Sequence, residues 1–280
     1  MSTWSVTPKE DGLRLIYFLQ SKSKTRYSAR FWKRAVEKNL CKVNGKRERF
    51  GSKVLKEKDR VELEKNWAER MGEVPSLSCT ILYEDEHLVI VDKPSGIVSD
   101  EDHFPSLFLT HRLDKETSGV FILAKNQVAK EAIMKLFKER AISKSYLALV
   151  EGSPKKDSGT IKSHLSRKSI YQGGTLWGSS PIGLEAITEW ECLQRNPETS
   201  LILCKPKTGR MHQIRVHLKE MGCPILGDYQ YNPSSKLSAS RLHLHAWKIE
   251  FMHPFYSQPV SIEAPIPEIF SAEFLLTHSG

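Results

Sequence analysis

HRLDKETSGVFILAK, residues 111–125, sets a polar loop directly ahead of an apolar run. The run VFILAK (120–125) has the length and composition of a buried strand. The loop before it brings together a cation, Arg112, a carboxylate, Asp114, and the small-residue turn Thr117-Ser118-Gly119. A loop that runs into a buried strand is a rigid support for a reactive side chain. On this stretch alone Asp114 also reads as a turn or capping aspartate, so its chemistry has to come from the rest of the chain.

Strands of the same kind recur on both sides. YEDEHLVIVDKP has an apolar run at 88–91 ended by Pro94, and SYLALVEG (145–152), AITEWECL (186–193), SLILCKP (200–206) and AWKIEF (246–251) repeat the type. Helical periodicity marks only 127–139 and 209–221. Many strands and few helices predict an α+β domain dominated by antiparallel sheet. In the second helical stretch Met211, Ile214, Leu218 and Met221 are spaced as a buried stripe, with Arg215 at its edge. A guanidinium there needs an acidic partner. Asp114 is the expected one, and the pairing would fix the acid's orientation as a nucleophile requires; a structural arginine bridging to another acid is the alternative.

The charge is uneven. The 280-residue chain carries a net +9, but residues 1–72 hold 19 Lys and Arg against 9 Asp and Glu, leaving 23 against 24 for residues 73–280. Two units follow: a small basic one over 1–72 and a larger one over 73–280, joined at the polar stretch NWAERMGEVPSLS. In the small unit Leu13, Ile16 and Tyr17 share a helical face, and Trp32, Ala35 and Val36 share a second, with Ser28 as its N-cap. CKVNGK then supplies an Asn-Gly turn, and Val61 and Leu63 alternate with charges as a half-exposed strand. This small α/β unit presents Arg30, Lys33, Arg34 and Lys46 as candidate phosphate contacts; a solvated basic surface is the alternative.

Composition narrows the class. No stretch approaches the roughly 18 apolar residues of a membrane span, and the N-terminus lacks the pattern of a secretory signal. A soluble, cytoplasmic protein is expected. The five cysteines form no C-x-x-C pair and read as reduced thiols. His243 and His245 alternate as one polar face of a strand would, so no metal site is expected.

HRLDKETSG, KSYLALVEG, TGRMHQIRVHL followed by GCPILGDYQY, and RLHLHAWKIEFMHP stand in an order and spacing that resemble the RluA-type pseudouridine synthases over about residues 80–265. Residues 11–64 resemble the RNA-binding domain named after ribosomal small-subunit protein four, and the order of the two units resembles the branch that modifies large-subunit ribosomal RNA. The resemblance implies a mixed, mainly antiparallel sheet and an isomerase that needs no cofactor. It also implies RNA as partner, with large-subunit ribosomal RNA expected first and transfer RNA as the alternative. By resemblance Asp114 is the catalytic aspartate, Arg215 the basic residue paired with it, and Tyr146 the tyrosine that lies against the target base. Tyr146 read alone is an ordinary strand aromatic. Arg112 matches the residue that fills the space left by the flipped uridine, and His212 and Gln213 have supporting roles. The segment HFPSLFL before Thr110 is shorter than in the family, which bears on target choice. A monomer is expected. Two rivals remain: a non-catalytic RNA-binding assembly factor, and a carboxylate-dependent nucleoside hydrolase, for which Glu116 is the only acid nearby.

Overall fold

The computed structural model describes residues 2–22, 29–65, 67, 79–101, 103, 104, 107–171 and 174–270. The N-terminal unit contains strand β1 (Ser2–Ser5), helices α1 (Leu15–Lys22) and α2 (Ala29–Glu37), and strands β2 (Cys41–Val43), β3 (Lys46–Arg47) and β4 (Arg60–Leu63). The strands form an antiparallel sheet in the order β1-β4-β2-β3. Asn44 and Gly45 both take positive φ, the backbone of a tight two-residue hairpin turn. Trp32, Ala35, Val36, Val61 and Leu63 are buried as their periodicity predicts. The α1 face is different: Leu15, Phe18 and Leu19 point inward, Leu13 precedes the helix and Tyr17 is exposed. The apolar run GLRLIYFL supports two registers, and packing against α2 selects the one that buries the phenylalanine. Ser28 and most of the polar stretch read as a linker lie outside the described residues.

The larger unit is an eleven-stranded sheet. Its elements are β5 (Thr80–Glu84), β6 (Leu88–Lys93), β7 (Phe108–Leu109), β8 (Ser118–Ala124), helix α3 (Gln127–Lys138), β9 (Ser143–Glu151), β10 (Ser158–Tyr171), β11 (Gly174–Ser179), β12 (Leu184–Arg195), β13 (Thr199–Pro206), helix α4 (Gln213–Glu220), β14 (Leu244–Met252) and β15 (Pro259–Glu263). The order is β11-β10-β12-β13-β9-β14-β8-β6-β5, with β7 on β8 and β15 on β14. Every strand pair is antiparallel except β8 with β14, so the fold is α+β with a mixed, mainly antiparallel sheet.

That parallel pairing sets the site. Gly119 has φ +109, and a Cβ on it would collide with the backbone of Ala246, so only glycine lets β8 lie this close to β14. The start of β8, where the 111–119 loop ends, is thereby fixed beside the middle of the sheet.

Two expectations are corrected. Helix α4 begins at Gln213, four residues later than the 209–221 stretch: His212 takes a left-handed backbone, φ 54, and Met211 is exposed instead of lying on the buried stripe. His243 and His245 are fully buried, because the start of β14 runs between β9 and β8 and the Phe270 ring lies against both imidazoles, so they do not form an exposed polar face. Among the described residues no helix is long and apolar enough to cross a membrane.

Candidate active site

The 111–119 loop is clamped from below by the segment that follows β6. Lys93 is fully buried, and its ammonium donates to the carbonyls of Pro94 (3.0 Å), Ile97 (2.8 Å) and Lys115 (3.2 Å). Burial pulls its pKa down to about 8 against the opposing charges of Cys79, Glu116 and Asp114. Gly96 N–H donates to the Lys115 carbonyl, and the Ser95 hydroxyl to that of Glu116. Ser99 Oγ donates to the Leu113 carbonyl and accepts the Leu113 N–H. At the loop's start His111 Nε2 accepts the Ile122 N–H at 3.0 Å, with its ring between Phe121 and Phe137. Burial, helped by the Lys144 charge, lowers the His111 pKa to about 3, so the ring is a neutral acceptor. Asp114 sits at the top of this clamped turn, its carbonyl accepting the Thr117 N–H. In the segment before Thr110, Phe104 and Phe108 are buried, with Phe104 packed on Phe121.

Asp114 keeps 21% of its side chain exposed and meets Arg215 from α4, with Arg215 Nη1 donating to Asp114 Oδ2 at 3.4 Å. This expected pair forms, but it is not the main partnership of the arginine. Arg215 Nε and Nη2 donate to the two oxygens of Asp228 at 2.8 Å each, and Nη2 also donates to Gln230 at 2.9 Å. The guanidinium lies 4.8 Å from the centre of the Tyr231 ring. Burial opposes the Arg215 charge, yet the hydrogen bonds and charge of Asp228, with the charge of Asp114, outweigh it and raise its pKa. The cation is thus anchored from behind and offers one N–H to Asp114.

Tyr231 anchors the other side. Its hydroxyl accepts the Trp177 N–H at 3.0 Å and is 2.8 Å from His212 Nδ1, while His212 Nε2 is 3.9 Å from Asp114. Burial holds the His212 pKa below its usual range, although the Asp114 charge pulls the other way. Gln213 is buried and bonded to Thr208, Arg210, Ile187 and Thr188, closing the turn that puts His212 in place.

Tyr146, on β9 opposite Cys204 and Ala246, packs between two apolar clusters of the sheet. Burial, with the nearby charge of Asp114, pushes its pKa well up, so it is a neutral aromatic wall. It also lines a small cavity with His111, Lys144 and Lys248. Burial lowers the Lys144 pKa to about 8. Arg112 is exposed next to Asp114.

The structure therefore sets Arg215 against Asp114, puts Tyr146 within reach of the Asp114 charge, and leaves Arg112 exposed two residues before Asp114 in the loop. Lys33, Arg34 and Lys46 are exposed on α2 and β3 of the other unit; Arg30 is on α2, with its side chain outside the described part. Sequence reasoning missed Lys93, Asp228, Gln230 and Tyr231. The last three stand in GDYQY (227–231), the end of the GCPILGDYQY motif. Among the described residues no group of three or more His, Cys, Asp or Glu could hold a metal ion.

Residues 100–220 match the family described as RNA pseudouridylate synthase. An uncharacterised RNA pseudouridine synthase of Mycoplasma pneumoniae is 34% identical over 259 residues, covering 83% of this chain and 82% of the relative. The ribosomal large subunit pseudouridine synthase C of Rickettsia prowazekii is 32% identical over 213 residues, 70% of either chain. Among solved structures, human RNA pseudouridylate synthase domain containing 4 superposes with a TM-score of 0.61 at 26% identity, covering 73% of this chain and 94% of that one. The chain belongs to the RNA pseudouridine synthase family, the isomerases that turn uridine in RNA into pseudouridine.

Proposed function

We propose that this enzyme isomerises specific uridines of large-subunit ribosomal RNA, with Asp114 as its catalytic carboxylate. The observation that carries the assignment is the asymmetry around Arg215. The cation is bound at 2.8 Å to Asp228 and offers its remaining edge to Asp114 at 3.4 Å, leaving an oriented and accessible acid. The ribosomal target rests on relatives whose names state that substrate, from Rickettsia prowazekii and from Nitrosomonas europaea.

The reaction breaks the bond from uracil N1 to the ribose, turns the base, and joins the ribose to carbon 5. The proton of carbon 5 leaves to water and N1 gains one, so no electrons or energy are supplied from outside and the chemistry needs no cofactor. The base must first leave the stack, at a cost of a few kcal/mol. Tyr146 offers the wall that receives it, and Arg112 a cation beside the space it leaves. A carboxylate at Asp114 serves either by adding to the nucleoside or by taking a proton from it. Both need the orientation that Arg215 imposes.

Residues 1–72 form, in this reading, a separate RNA-binding domain like that of ribosomal small-subunit protein four, using Arg30, Lys33, Arg34 and Lys46 on phosphates. Residues 73–280 form the catalytic domain. The protein works in the cytoplasm as a monomer.

Ribosomal RNA carrying tritium at uridine carbon 5 tests this. Wild-type protein should release tritium to water, and Asp114→Asn should release none above background. Release by Asp114→Asn at the wild-type rate refutes the role of Asp114. Release only from transfer RNA would move the substrate, and free uracil would identify a hydrolase.

A further inference from the structure

A lone exposed apolar side chain is ordinary on any protein surface. Phe50, 72% exposed, differs in how the chain beneath it is held. Glu48 Oε1 accepts the backbone N–H groups of both Arg49 (2.8 Å) and Phe50 (2.9 Å), and Lys53 N–H donates to the Phe50 carbonyl (3.0 Å). The loop is also tied to both helices of the N-terminal unit. Ile16 and Leu15 N–H donate to the carbonyls of Gly51 and Lys53, and Arg49 Nε donates to Asn39 Oδ1 just past α2. A Cβ on Gly51 would collide with Ile16 and stand 3.8 Å from Lys33 Cα, so the loop lies directly on α1 and α2. The backbone beneath the ring is fixed, so binding has only the ring's own rotamers left to order.

Exposed cations stand on the same loop and on the elements it packs against. Arg49 and Lys53 belong to the same loop, Arg14 stands opposite Val54 across a β-bridge, and Lys33 lies on the stretch of α2 that Gly51 approaches. All four are exposed. Of the acids nearby, Glu48 is committed to the loop's backbone, and Glu37 pairs with Lys33 at 3.7 Å in an exposed i,i+4 contact of the weak kind that a phosphate displaces. An exposed aromatic side chain with cations on its own loop and on the elements beneath matches an unpaired nucleotide, with the base on the ring and the flanking phosphates on the cations.

We propose that Phe50 is a stacking platform for an unpaired base of the RNA, so that the N-terminal unit selects loops or single strands over closed duplex. This rests on the reading of that unit as RNA-binding. A paired duplex offers no free base face, whereas the cations alone would serve the phosphates of either form.

Affinity of the full chain should be measured for a stem with a uridine-containing loop and for the same stem as a closed duplex, across a salt series. Phe50→Ala should weaken loop binding about tenfold, leave duplex binding and the salt slope unchanged, and be rescued by Phe50→Trp. Lys33→Gln with Lys53→Gln should weaken both RNAs and flatten the slope, by about 0.7 for each single-strand phosphate no longer neutralised. Melting curves control for folding. If Phe50→Ala binds the loop as wild type does while the lysine variant is weakened, stacking is refuted and the RNA-binding reading stands. If Phe50→Ala weakens loop and duplex alike, the ring is not a reader of unpaired bases. If neither variant changes affinity, the RNA-binding reading fails as well.

Discussion

Arg215 divides its donors unequally between two acids, and the division determines what each substitution should do. Asp228 takes the fork at 2.8 Å on both arms, while Asp114 receives a single hydrogen bond at 3.4 Å. Arg215→Lys keeps the charge but cannot hold both acids, since an ammonium lacks the planar fork. Turnover should fall about a hundredfold, with a change in KM of less than threefold, as steady-state tritium release would measure; the drop reflects misplacement of the acid. Asp228→Ala strips a buried guanidinium of its main partner, a loss typically of about 3–5 kcal/mol, and should lower the melting temperature by far more than Arg215→Lys. That a guanidinium on this helix needs an acid was legible in the sequence. Asp114 as one partner was legible too; Asp228 as the main one was not, because it lies beyond the end of the helix and only the folded loop brings it back to Arg215.

The 111–119 loop shows the same limit at the level of an element. HRLDKETSG and the strand after it were readable from composition, but the clamp beneath them was not, because a lysine closing an apolar strand reads as an exposed end. Lys93 is instead fully buried and bonded to three carbonyls, including that of Lys115 beside Asp114. Lys93→Met keeps the length and removes the donors. It should cost about 2 kcal/mol or more in denaturant unfolding, the scale for charged hydrogen bonds. It should also reduce turnover at saturating RNA while KM changes less than twofold. Gly119→Ala should be harsher, since a backbone clash has no side chain to move aside; a loss of about 3 kcal/mol is expected by the same measurement. The long hairpin of β10 and β11 left no trace in the sequence for a physical reason. SGTIKSHLSRKSIY carries too few apolar residues to alternate, and the strand is held by its ladder to β12.

Across the whole molecule, the histidines are the groups whose burial shows in bulk behaviour. His217 is bonded between Ser163 and Thr188, and His245 is bonded to Ser118. Burial lowers the pKa of each from 6.5 to about 4. The sequence hid this, since a histidine in HLHAW looks like the wet side of a strand until the Phe270 ring is known to lie against it. The unfolded chain takes up protons at these positions as pH falls through about 6.5, while the folded chain does not until about 4. The contribution of these histidines should therefore be level above pH 7 and fall between about pH 6.5 and 4, by up to about 3 kcal/mol for each. Burial opposes the charge of Asp85, but the Tyr83 hydroxyl and the Leu88 and His87 amides outweigh it and lower its pKa, so this acid adds loss only at lower pH, below its ordinary carboxylate range. Thermal melting at pH 7.5, 6 and 5 gives the slope. His217→Gln keeps a donor and an acceptor for Ser163 and Thr188 but removes the titration, so its melting temperature should depend less on pH than that of the wild type. An unchanged slope in this variant would move the acid sensitivity to other groups and leave His217 as packing alone.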